Sequence, residues 1–308
     1  MRVAIIGAGG VGGYFGGRLA AAGTDVTFVA RGAHGAAIRA EGLAIQSPRG
    51  DFVVDAKTVD TPAQAGPVDV VIVAVKLWDT AQVAGTLRPL LHENTMVISL
   101  QNGVSKDDIL REAVGAPHVV GGLCYIAAVI DRPGVIRHAG TLQRIVIGEY
   151  DGRVSPRVDA FVRACREAGI DAEVSEDIER AIWEKFVFLV GLSGATSVIR
   201  QPIGPIRADA RARALLHVLF TETVDVGRAR GVHLDPNYAD DRLAFCDTLP
   251  AAMTSSMHGD LERGNRLEMP WLQGAVVALG RDAGIATPTN GFVEDVLSVY
   301  VDGAPART

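Results

Sequence analysis

Residues 1–12 read Met1-Arg2-Val3-Ala4-Ile5-Ile6-Gly7-Ala8-Gly9-Gly10-Val11-Gly12, and their reading decides the fold. Positions 3–6 form a short apolar run of strand type that empties into a G-x-G-x-x-G turn, which in turn opens a segment of helix-forming composition. The three spaced glycines have separate duties. Gly7 permits a tight turn, Gly9 lets the backbone approach a pyrophosphate, and Gly12 allows strand and helix to pack closely. Ala8, Gly10 and Val11 complete a loop whose N–H groups would face phosphates at the helix N-terminus. The string alone is weak evidence; its place directly after a strand, at the start of a βαβ unit, gives it force.

Working outward, β-branched runs recur at 25–29, 68–75, 96–100 and 119–123, separated by helix-forming segments. That alternation predicts βαβ units and a parallel sheet. A strand-rich stretch at 134–147, with the polar turn Arg137-His138-Ala139-Gly140 inside it, reads as a hairpin added to the sheet. Beyond about residue 174 the pattern becomes helical. A helix is expected from about Ile178, a second over 207–230 stopped by Gly231, a third opened by Asp235-Pro236, and a fourth opened by Pro270 and ended by Gly284. The fold class is α/β: a Rossmann-type dinucleotide-binding domain over 1–174, then an all-α domain over 175–308.

Three residues stand just past strand ends, where open α/β sheets bind ligands. An NAD-binding protein should end its second strand with Asp or Glu, to bind the ribose hydroxyls. Here that strand ends Ala30-Arg31-Gly32, and Asp25 sits at its wrong end. A guanidinium suits a dianionic 2′-phosphate by charge and fork geometry, so Arg31 points to NADP(H). Lys76 follows the third long run and Asn102 the fourth; their shared position at the crevice makes both candidates. In the helical half, Lys185 falls within a stripe of Ile178, Ile182, Leu189, Leu192 and Thr196. A lysine in an apolar stripe either snorkels to water or enters a cleft, where burial makes it a better proton donor near neutral pH. Glu268 and Ser256 read first as carboxylate and hydroxyl near helix starts.

Composition narrows the function. With 30 basic and 36 acidic residues the net charge is −6, which argues against gripping nucleic acid or anionic lipid through bulk charge. Cys124, Cys165 and Cys246 are odd in number and far apart, so they outline no disulfide framework and no CxxC site. The histidines form no HxxH pair, and no metal is expected. The apolar run 186–199 is shorter than the ~20 residues of a membrane span and reads as a buried helix. The N-terminus lacks the layout of a cleavable signal, so a cytoplasmic protein is expected.

Taken together, Gly7 to Gly12, Val29-Ala30-Arg31, Val73-Ala74-Val75-Lys76, Gln101-Asn102-Gly103, Trp183-Glu184-Lys185-Phe186, Ser255-Ser256-Met257 and Gly284-Ile285-Ala286-Thr287-Pro288 occur in the order found in the ketopantoate reductase family, which the chain resembles from end to end. The resemblance implies NADPH-dependent reduction of 2-dehydropantoate to (R)-pantoate. It implies Lys185 as general acid, Arg31 and Lys76 on the 2′-phosphate, and Asn102 near nicotinamide and substrate. Glu268 would engage cofactor or substrate hydroxyl, Ser256 the substrate, and a backbone group near Ala127 the cofactor. The family commonly carries asparagines where this chain has Leu189, Ser193 and Ile203; Ser193 is kept as a substrate residue, while loss of the amides weakens recognition of a hydroxylated substrate. Two rivals follow: a D-2-hydroxyacid dehydrogenase for other branched or aromatic 2-oxo acids, and a non-catalytic NADP(H)-sensing protein. The expected partner is a small 2-oxo acid, with a homodimer left open and neither nucleic acid nor membrane.

Overall fold

In the computed structural model, which describes residues 1–304, the β-branched runs line up side by side because both of their faces are covered. The first unit comprises β1 (Arg2–Ile6), α1 (Gly10–Ala21), β2 (Asp25–Val29), α2 (Gly32–Glu41), β3 (Leu43–Gln46), β4 (Phe52–Val54), β5 (Lys57–Val59) and β6 (Val70–Val73). It continues with α3 (Thr80–Ala84), β7 (Met96–Ser99), α4 (Lys106–Val114), β8 (Val119–Arg132), β9 (Val135–Gly148), α5 (Pro156–Glu167) and β10 (Asp171–Val174). Val3, Ile5, Val70, Ile72 and Ile98 point into one apolar layer, while Ala4, Ile6, Val71, Val73 and Val97 point into the other. Strands buried on both faces read as continuous apolar runs.

The parallel strands run in the order β5-β2-β1-β6-β7-β8, the doubly wound arrangement whose direction of winding reverses between β1 and β6. Beyond β8 the sheet changes character. β8 pairs with β7 through Val119 and Val120, then leaves it and runs antiparallel to β9. β9 also pairs with β3 at one end and with β10 at the other, and β4 closes that edge.

The expected hairpin within 134–147 is corrected here. Residues 135–148 form one strand, and the hairpin turn lies at Pro133-Gly134, with Gly134 at φ +80°. The turn-like residues are absorbed by a shift of register: Ala127 pairs with Ala139 but Ile126 with Gln143, which leaves Gly140, Thr141 and Leu142 as a bulge. His138 is buried beside it, its Nε2–H donating to the Leu142 carbonyl (2.9 Å) and its Nδ1 accepting from the Ser47 hydroxyl (2.9 Å).

The chain divides into Met1–Asn102 with Lys106–Ile178, and Gly103–Ser105 with the described residues from Glu179 on, so the second unit begins four residues past the expected 175 and recruits a short segment from upstream. The second unit is helical: α6 (Ile178–Ile199), α7 (Ile203–Ala208), α8 (Ala210–Ala229), α9 (Tyr238–Thr248), α10 (Ser256–Glu262), α11 (Gln273–Ala283) and α12 (Pro288–Leu297). Three expected boundaries move. Asp209 accepts from the amides of Arg211 and Ala212, which starts α8 there and leaves Arg207 in α7. Asp235 closes a turn onto the Asn237 amide, so α9 starts at Tyr238. Pro270 lies in a 3-10 turn, Met269–Trp271, that precedes α11; Gly284, left-handed at φ +71°, ends α11 as expected. Among the described residues α6 alone is long and apolar enough to cross a membrane, and 67% of its most apolar window is buried inside the protein, as in a core helix.

Candidate active site

The glycine-rich turn sits at the reversal point of the sheet. Gly7, at φ +97°, lies against the end of β6: a Cβ there would come within 2.8 Å of Val75 Cγ1 and 3.0 Å of the Val75 amide nitrogen. A Cβ on Gly12 would meet the Gly7 carbonyl at 2.1 Å, so this glycine keeps α1 close to the turn. Gly9 faces open space, with nothing within 4 Å of the same point. The first two of these follow the tight turn and the close packing expected of Gly7 and Gly12. Gly9 is the N-cap of α1, whose first turn carries no acid and no capping side chain. Its amide donors therefore present an uncompensated positive end. Gly10 has a further reason to be glycine, because a Cβ would lie 2.0 Å from the Ala128 carbonyl of β8. Ala127, exposed at the register shift of β8, adjoins that contact.

Arg31 is exposed and serves as N-cap residue of α2, immediately beyond β2, while Asp25 pairs with Arg2 at the opposite strand end. Lys76 is exposed past β6, its Nζ 5.5 Å from the ring centre of Trp78. Asn102, half-buried, follows β7. Gln101 joins these two turns: its Nε2 donates to the Val75 carbonyl (2.9 Å) and to Thr80 Oγ1 (2.8 Å), and its Oε1 accepts from Ser99 Oγ (2.9 Å). On the far side of Asn102, the buried Lys106 Nζ donates to the carbonyls of Ser99 (3.2 Å) and Gly122 (3.1 Å) and pairs with Asp107 (2.7 Å). The sequence reading missed both supports, since a glutamine and a lysine near a turn carry no signal of what they will reach.

In the helical unit, Lys185 is half-buried on α6, with Ile182, Trp183, Phe186 and Val187 buried around it. The Tyr238 hydroxyl donates to the carbonyl of Glu184 beside it (3.2 Å). Leu189 is half-buried one turn on. Ser193 is fully buried, and its hydroxyl has no hydrogen-bond partner; the same holds for Ser197. Such hydroxyls retain bonding capacity for a small polar guest. Ile203 is fully buried and packs in the helical core. The cap of α10 is Ser255, which accepts from the His258 amide (3.0 Å) and meets Thr196 Oγ1 (3.2 Å). Ser256 is exposed in the first turn and caps nothing. Glu268 is half-buried at the N-cap of the 3-10 turn, but its side chain makes no capping bond. Gln273, just past that turn, donates to the Val190 carbonyl (2.8 Å) and so fastens the Glu268 segment to α6.

Other chemistries find little purchase among the described residues. The three cysteines are free and buried, and burial pushes the Cys165 thiol up to about 12, which leaves it unreactive at neutral pH. No group of three His, Cys, Asp or Glu stands together as a metal site among those residues.

The chain matches known proteins over nearly its whole length. Residues 3–152 match the family Ketopantoate reductase PanE/ApbA, and residues 177–301 match Ketopantoate reductase PanE/ApbA C terminal. The chain is 33% identical over 302 residues to the uncharacterized oxidoreductase YkpB of Bacillus subtilis, covering 97% of this chain and 99% of that one. It is 34% identical over 299 residues to 2-dehydropantoate 2-reductase of Halobacterium salinarum, covering 96% and 98%. A crystal structure of a PanE/ApbA family ketopantoate reductase from Ralstonia eutropha JMP134 superposes with a TM-score of 0.89 at 31% identity, covering 98% of each chain. At 20% identity, D-mandelate dehydrogenase in ternary complex with NADH and anilino(oxo)acetate shares the fold, with a TM-score of 0.87 over 98% of each chain. With both halves matched in order and full-length relatives above 30% identity, the chain belongs to the ketopantoate reductase family of oxidoreductases.

Proposed function

We propose that this protein reduces a 2-oxo acid to a 2-hydroxy acid with NADPH, that its substrate is 2-dehydropantoate, and that it works in the cytoplasm on the path to pantothenate. The observation that carries the reading is Lys185, a half-buried cation set in the apolar stripe of α6 that Ile182 and Leu189 share, in a chain whose other unit holds a glycine-rich turn at a sheet reversal. A nicotinamide dinucleotide fits the residues present. The open face at Gly9 and the acid-free start of α1 suit a pyrophosphate, and Arg31 in place of a carboxylate suits a 2′-phosphate, with Lys76 as its second cation. The backbone near Ala127 would border the same group.

When bound, the cofactor supplies the hydride for C2 of the acid. The chain's own residues manage the proton and the orientation. Lys185 Nζ gives a proton to the carbonyl oxygen as negative charge develops there, and its ammonium is restored from solvent. Asn102 orients the reacting groups at the end of β7, and Ser193, Ser256 and Glu268 bind the acid's polar groups. NADPH oxidation, followed by absorbance with 2-dehydropantoate and a panel of 2-oxo acids, tests the reading; a folded protein that oxidises NADPH with none of them refutes it.

A second reading, reduction of other branched or aromatic 2-oxo acids, is favoured by Leu189, half-buried one turn from Lys185 where the family commonly has an amide. The same panel separates the two readings by which acid has the highest kcat/KM.

A further inference from the structure

We propose that His34 is a positioning residue for the dinucleotide loop, setting the direction of the Gly9 amide by holding the carbonyl of Ala8. His34 lies in the first turn of α2, three residues beyond Arg31. Its Nε2 is 2.8 Å from the Ala8 carbonyl oxygen, and its Nδ1 accepts from the Gly134 amide at 3.0 Å. The two bonds define the ring. An amide can only donate, so Nδ1 carries a lone pair; the atom facing a carbonyl must carry the hydrogen, so Nε2 is the protonated nitrogen of a neutral imidazole.

The geometry has a direct effect on the loop. The Ala8–Gly9 peptide is planar and trans, so its C=O and N–H point in opposite directions. Drawing the Ala8 carbonyl toward α2 turns the Gly9 N–H away from it. Glycine at position 9 would otherwise let this peptide rotate at little cost, and open space beside it offers no steric restraint. The other end of the brace is firm. Gly134, at the β8–β9 turn, has φ +80°, and a Cβ there would lie 3.1 Å from Ala37 Cβ of α2. Its carbonyl also accepts from the Ala44 amide (2.9 Å). His34 therefore braces the loop against the hairpin and preorganises a donor for the cofactor's pyrophosphate.

This proposal rests on the reading that the glycine-rich turn binds the dinucleotide, and the test keeps the two apart. NADPH binding is titrated by its fluorescence, without substrate, for wild type and for His34→Ala, His34→Gln and His34→Asn, with thermal midpoints of the unliganded proteins measured alongside. Gln reaches as far as Nε2 and can donate to Ala8; Asn reaches only as far as Nδ1. The Ala and Asn variants are expected to raise the NADPH Kd about threefold to tenfold, the size of one net hydrogen bond, while Gln recovers most of the loss. A role in stability alone would lower the midpoint and leave Kd where it was, and that result overturns the proposal. So does an Ala variant that binds as wild type, or rescue by Asn and not by Gln. Wild type that binds neither NADPH nor NADH overturns the cofactor reading itself.

Discussion

Lys106→Met breaks a deeply buried ion pair of the first unit. Lys106 is 2% exposed and Asp107 1% exposed, and the Nζ lies where β7 and β8 cease to pair, bridging the Ser99 and Gly122 carbonyls. Methionine keeps the length and packing of the stem but removes the ammonium. Asp107 Oδ2 would then retain only the Tyr150 hydroxyl (2.6 Å), and Oδ1 is already buried with no partner. Breaking a buried pair by removing one member typically costs about 3–5 kcal/mol, because the other charge stays buried and uncompensated. The Ser99 and Gly122 carbonyls would lose the same donor, which pushes the expected loss toward the upper end of that range. The assay is urea unfolding followed by circular dichroism and by fluorescence; Trp78 lies in the first unit, whereas Trp183 and Trp271 lie in the second. Pairing Lys106→Met with Asp107→Asn removes both charges and should return about half of the loss. A single variant that loses less than about 1 kcal/mol, or a double variant no better than the single, would refute the coupling.

Lys185→Ala should lower kcat by about 10² to 10⁴ while NADPH affinity holds; a folded variant that keeps more than about a tenth of wild-type kcat contradicts the general acid. Arg31→Ala should weaken NADPH by about 1.5–3 kcal/mol and leave NADH nearly unchanged, so equal losses in binding titrations would overturn the 2′-phosphate assignment. Leu189→Asn should raise the kcat/KM for 2-dehydropantoate relative to 2-oxoisovalerate by returning a partner for the hydroxyl; a flat ratio makes Leu189 a packing residue. Glu149 supplies a pH test. Burial pushes its carboxyl up, but the Arg157 fork (2.8 and 2.9 Å) and the Ser155 hydroxyl (2.7 Å) outweigh that and hold it below the usual range. Its contribution is therefore complete above the ordinary glutamate value of about 4.3 and lost as pH falls through the lower folded value. Glu149→Gln should destabilise the protein at neutral pH, and the gap from wild type should close under acid in unfolding titrations; a gap that stays constant with pH would contradict this.

The parts of the fold legible in the sequence are those where burial is two-sided. β1, β2, β6 and β7 are largely apolar or β-branched runs because each lies between two layers. β3, β4 and β5 have three or four residues each, too few to show a period. In β9 the string Arg137-His138-Ala139-Gly140 has turn composition, yet His138 satisfies both ring nitrogens inside the sheet and the bulge absorbs the surplus residues. The candidate site follows the same division. Gly7, Gly9, Gly12, Arg31, Lys76 and Asn102 are legible because strand ends locate them. Gln101, Lys106 and His34 act through partners 26, 16 and 100 residues away, and no local pattern encodes such reach.

Because Gly103–Ser105 group with the helical unit, and Val104 packs against that unit's core, the polypeptide crosses between units at Asn102/Gly103, at Ser105/Lys106 and at Ile178/Glu179. Neither half is thus a single uninterrupted fragment. A chimaera that exchanged everything after Ile178 for the corresponding half of a relative would keep Val104 from this chain packed against a foreign core. Swapping the three-residue segment together with the C-terminal half is the cut that transfers the helical unit whole.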